Sequence, residues 1–136
     1  MRCGPENCET MAGETLSSWQ RLKALLENHQ NDILERESSC SGNSIYLYDT
    51  GEYWVAFERS AFRLRQIFPD SDIAVLHLKT CSCPVVMVSV SGREFTEYPG
   101  RYALRPSGAG RMVLSGGIIS QARYARWHRD IEEGTI

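Results

Sequence analysis

The sequence predicts one α+β domain, a mixed and mostly antiparallel sheet packed by helices. Three observations predict it. The chain has 136 residues of which 42% are hydrophobic, enough for a single core without disulfide or metal staples. Short β-rich runs are joined by hairpin turns. Helical apolar stripes lie before, between and after them. The order reads αββαβββα, and strands linked by hairpins favour α+β over a doubly wound sheet. Residues 1–14 are polar and contain Gly4, Pro5 and Gly13, the composition of a disordered arm. Residues 15–136 form the domain, with no internal repeat or linker.

Ser17 and Gln20 have the spacing of a capping box, so a helix begins there and runs to about Arg36. Trp19, Leu22, Leu26, His29 and Ile33 recur every three or four residues as its apolar stripe. His29 on that stripe reads as an edge-of-core histidine. Ser38–Asn43 is a loop broken by Gly42.

A hairpin follows. Ile45-Tyr46-Leu47-Tyr48 and Tyr53-Trp54-Val55-Ala56-Phe57 are β-rich, and Asp49-Thr50-Gly51 supplies the turn. Glu58 opens a second helix that ends at Phe68, because the residue before Pro69 avoids helical torsions. Phe57, Ala61, Leu64 and Phe68 make its apolar stripe, with Arg59, Arg63 and Gln66 opposite. Ile73–Lys79 and Val85–Ser91 are strands around the turn Thr80–Pro84. Phe95 and Tyr98 either extend the sheet or pack beneath it. Residues 99–110 are a Gly- and Pro-rich loop, Arg111–Leu114 is a short strand, and Ile118–Glu133 is a last helix ended by Gly134.

Charge narrows the function. Net charge is −2, which argues against a wholly basic nucleic-acid coat but leaves room for a local basic face. Residues 101–136 carry six arginines against three acids, so the tail is the basic third. On the last helix Arg123, Arg126, His128 and Arg129 interleave with Tyr124 and Trp127. Phosphates want cations and bases stack on rings, so this pattern suits nucleic acid. The same pattern fits a buried stripe of Tyr124, Trp127 and Ile131 with arginines facing water.

Enzymatic signatures are missing. The glycines at 108, 110, 116 and 117 lack the Lys-Ser/Thr of a phosphate-binding loop, and neither G-x-G-x-x-G nor G-x-S-x-G occurs. A nuclease site would draw on Asp70, Asp72 and Lys79, but His77 stands where a second acid is needed. Cys81 and Cys83 are too close for a zinc pair, while Cys3, Cys8 and Cys40 are scattered. No catalytic residue, metal site or cofactor is expected. No apolar run approaches a membrane span, and no apolar stretch follows the N-terminus as in a secretory signal. A cytoplasmic protein with free thiols is the expectation.

Ser17–Phe68 resembles the start of the MutS DNA-repair family, whose first domain recognises mismatches. The resemblance rests on Leu22-Lys23, on Ile45-Tyr46-Leu47-Tyr48, on Gly51-Glu52-Tyr53-Trp54-Val55-Ala56-Phe57, and on the helix from Glu58 with Ala61. It implies that Tyr53 takes the position of an aromatic that stacks on a mispaired base. Val55 takes the position of a glutamate that reads the base edge, and valine has no donor or acceptor to do so. The family's ATPase, lever and clamp are not expected from these 136 residues. The resulting expectation is a non-enzymatic DNA-binding module. Tyr53 would stack, and Arg59, Arg63, Arg123 and Arg126 would contact phosphates of duplex DNA. The alternative is a protein-interaction domain without nucleic acid, favoured by the acidic first half.

Overall fold

A computed structural model of the chain describes residues 17–39, 44–78, 84–99, 104–106, 108, 110–115 and 120–134. The predicted N-terminal arm, the Thr80–Cys83 part of the predicted turn and all five cysteines lie outside these residues.

The elements are α1 (Ser18–Ser39), β1 (Ser44–Asp49), β2 (Tyr53–Phe57), α2 (Glu58–Ile67), β3 (Asp72–Leu76), β4 (Val85–Ser91), α3 (Gly92–Thr96), β5 (Arg105–Pro106), β6 (Arg111–Ser115) and α4 (Gln121–Glu132). Six strands form one sheet in the order β3-β4-β2-β1-β6-β5, and every pairing is antiparallel. The architecture is α+β, as the hairpins predicted.

Side chains alternate across a strand, so the sheet feeds two cores. One face presents Ile45, Leu47, Ala56, Val88, Val90 and Leu114 to Ala61 and Leu64 of α2 and to Phe95 of α3, with Trp127 of α4 packed alongside. The other presents Tyr48, Val55, Phe57, Val85 and Met87 to Leu22 and Ile33 of α1. The sheet is a middle layer, with α1 on one side and α2, α3 and α4 on the other.

The Ser17–Gln20 capping box forms as expected: Gln20 N donates to Ser17 Oγ at 3.1 Å, and Ser17 N donates to Gln20 Oε1 at 2.9 Å. The predicted stripe of α1 holds only in part. Leu22 and Ile33 are buried and Leu26 is half-buried, but Trp19 is 66% exposed and His29 faces solvent. The helix is kinked at His29 (φ −133°), which rotates the second half so that Ile33, Leu34 and Glu37 turn inward. His29 is therefore a surface kink residue and not an edge of the core.

Two further differences concern the second half. Phe95 lies on a short helix, α3, which a capping box of Ser91 and Glu94 nucleates, and the ring packs into the core. β3 stops at Leu76, opposite Val85, the first residue of β4. The last helix begins at Gln121 behind the N-cap Ser120, whose side chain accepts from Arg123 N.

Candidate functional site

The hairpin tip is built by local hydrogen bonds. Asp49 Oδ1 accepts from Gly51 N at 2.7 Å, and Thr50 N and Oγ1 both donate to Tyr53 O. Gly51 has φ +99°, a conformation that side chains resist, and the side chain of Arg21 lies against it. Glu52 N donates to Ser18 Oγ at 3.3 Å, which fastens the tip to the start of α1. Beside this junction stand Trp19 and Tyr53, 66% and 38% exposed, the two exposed large hydrophobics among the described residues. Tyr53, the residue that the resemblance places at the stacking position, is partly exposed. Val55 is buried at 2% exposure against the α1 side, so this position faces the core and no ligand.

The four arginines named with Tyr53 do not gather around it. Arg63 is 4% exposed and donates to Ser44 O at 3.2 Å. It offers no surface to a phosphate, because α2 is covered on both sides, by the sheet and by its neighbouring helices. Arg59 is half-buried: it donates to Glu37 O at 3.0 Å and to Gln121 Oε1, and lies 5.4 Å from the Tyr124 ring centroid. Arg123 and Arg126 are exposed on α4. Tyr53 opens β2 and Glu58 follows its last residue, which puts the tip and the Arg59 region at opposite ends of that strand, about 16 Å apart.

No sequence pattern announces the polar cluster at the far end. β2 leaves the sheet after Phe57, which pairs with Met87. The next rung, Val86 N, donates instead to the side chain of Glu58 at 2.8 Å. Tyr124 OH donates to Glu58 Oε2 at 3.3 Å, and His128 Nε2 lies 3.0 and 3.1 Å from the two Glu58 oxygens. His128 Nδ1 meets Glu132 Oε1 at 2.5 Å. The hydrogen bond to Glu58 raises the His128 pKa above its ordinary value, against the opposing pull of burial. Burial also raises the Tyr124 phenol.

Nearby, Glu37 is 2% exposed and accepts from Ser60 N at 2.9 Å and Ser60 Oγ at 2.6 Å. Burial pushes its carboxyl up to about 7. A cavity of about 240 Å³ opens between Glu37, Glu58, Arg59, Tyr124 and His128. Both imidazole nitrogens already face carboxylates, and both Glu58 oxygens are engaged. The cluster ties α4 to the sheet. Only the His128–Glu132 spacing on one helix was legible, since Glu58 and His128 are far apart in the chain.

Asp70 and Asp72 are exposed residues at the α2–β3 turn, and Lys79 lies outside the described residues. No family model, no curated protein and no solved structure matches this chain.

Proposed function

We propose that the chain is a non-enzymatic module whose hairpin tip binds nucleic acid by stacking on unpaired or mispaired bases. The observation that carries this reading is the exposure of Trp19 and Tyr53, the chain neighbours of Ser18 and Glu52 whose hydrogen bond fixes the junction, with Arg21 against the turn. Aromatic rings in water stack on bases of any sequence, worth about 1–3 kcal/mol per base. The likeness of Gly51–Phe57 to a mismatch-recognition motif points the same way. With net charge −2, phosphate attraction is local, so binding is strongest at low salt.

The test is binding of labelled single-stranded, matched and mismatched oligonucleotides at low and moderate salt. Quenching of the exposed Trp19 should accompany binding, and Trp19→Ala or Tyr53→Ala should weaken it by about tenfold. Absence of binding at low salt would sink the reading.

The second reading is a protein interface. Trp, Tyr and Arg are the residues that dominate protein hot spots, and the net charge is negative. A partner recovered from nuclease-treated extract and lost with Trp19→Ala would favour it.

A further inference from the structure

Strand register collects a second basic group on the α1 side of the sheet. Tyr46 and Tyr48 of β1 point to that side, and residues directly opposite on antiparallel neighbours share a face. Val113 lies opposite Tyr46, Arg111 opposite Tyr48, and Arg105 opposite Val113. Arg36 reaches over from the end of α1. Its guanidinium lies 4.1 Å from the Tyr46 ring centroid and 5.8 Å from that of Tyr48. The Arg111 guanidinium lies 5.5 Å from the same Tyr48 ring. Arg105 is exposed, while Arg36 and Arg111 are half-buried.

The rings hold Arg36 and Arg111 in place. A guanidinium over a tyrosine is attracted to its face and loses rotamer freedom before any ligand arrives. Its planar fork matches the oxygens of a phosphate better than an ammonium does. The carboxylate acting on Tyr48 is Glu37, which is buried and bonded to Ser60. That carboxyl is therefore turned inward.

The group also shares a face of the sheet with the hairpin tip, with Tyr48 and Val55 buried under α1. Tyr48 directly precedes the turn and lies opposite Val55, which shares its face with Tyr53. We propose that Arg36 and Arg111, held by Tyr46 and Tyr48, and Arg105 on the same face of the edge strand form a phosphate-binding track for the backbone of a single nucleic-acid strand. This rests on the reading that the tip stacks on bases.

The experiment titrates the full chain with a short oligothymidylate and, separately, with inorganic phosphate, following arginine side-chain signals by NMR and affinity against salt. Arg105→Gln removes an exposed side chain from an edge strand and leaves the fold intact, which a thermal midpoint checks. Arg111→Gln is the second variant, and Tyr53→Ala the tip control. Each arginine variant should weaken oligothymidylate binding by about tenfold. Each should also flatten the slope of log affinity against log salt by about 0.7 per lost contact. The tip variant should weaken binding without changing that slope.

If the wild type binds and the double arginine variant keeps affinity and slope, the track is overturned and the tip reading survives. If inorganic phosphate shifts the Arg105 and Arg111 signals saturably while oligothymidylate does not bind, the strand is overturned together with the tip reading, and the site belongs to a free phosphate. If neither probe shifts those signals, the track is overturned outright.

Discussion

Glu58 occupies a backbone conformation that side chains resist, with φ +52° at a non-glycine residue. Such a torsion costs about 1–3 kcal/mol and persists only where surrounding contacts impose it. Here the contacts are visible. The chain must turn from β2 into α2 within one residue, and the carboxylate then replaces the ladder partner that Val86 N would otherwise lack. Glu58→Ala keeps the strain and strands Val86 N and Tyr124 OH, so it should destabilise by about 2–4 kcal/mol. Glu58→Gly loses the same bonds but relieves the torsion, so it should be more stable than Glu58→Ala by about 1 kcal/mol. Urea unfolding of both variants checks the order, which is the reverse of the usual helix ranking. Tyr48 gives a residue-scale prediction of opposite sign. Its hydroxyl is buried and has no hydrogen-bond partner among the described residues. Tyr48→Phe should therefore raise stability, by about 1 kcal/mol, and a fall of that size would show that the hydroxyl is satisfied in solution.

At the scale of elements, local chemistry was readable and long-range chemistry was not. The Ser17–Gln20 box, the Asp49–Gly51 turn and the stripe Ala61, Leu64 and Phe68 each depend on residues within a few positions of one another, and each is present. The Ser91–Glu94 box had the same signature, but it opens a helix of only five residues after a strand, where the apolar pattern is too short to reveal a period. Ser91→Ala should cost about 1 kcal/mol and increase hydrogen exchange at the following amides. Trp19 and His29 misled the reading of α1 because periodicity assumes a straight helix, and the kink at His29 changes which face turns inward. Arg63 misled the reading of α2 because an arginine opposite an apolar stripe is normally solvated. Burial from both sides requires knowing that other helices cover α2. The same limit hid the basic group at Arg36, Arg105 and Arg111, which strand register assembles from three separate elements.

At the scale of the molecule, the two titrating groups of the far cluster act in the same direction. Glu37 caps the first turn of α2 from another helix, accepting from Ser60 N where Phe57 at the N-cap has no side chain to offer. That position favours a negative charge, yet burial dominates and lifts the carboxyl from 4.5 to about 7. A raised folded pKa means that the folded chain holds the proton more tightly. Its contribution is fully present below pH 4.5 and is lost as pH rises through about 7, amounting to about 3 kcal/mol. His128 is also raised, chiefly by its bond to Glu58, so its contribution is present below pH 6.5 and is lost as pH rises through its folded value. The two losses overlap, and both loosen the region where α1, α2 and α4 meet the sheet. The urea midpoint should therefore fall as pH rises from 4.5 to past 7. Glu37→Gln should flatten the curve, gaining on the wild type at the alkaline end. Glu58→Gln removes the partner charge and should lower the His128 pKa, read directly by NMR titration of the ring. A stability flat across this range in the wild type, or an imidazole titration unmoved by Glu58→Gln, would show that the cluster holds no proton more tightly in the folded chain than in the unfolded one.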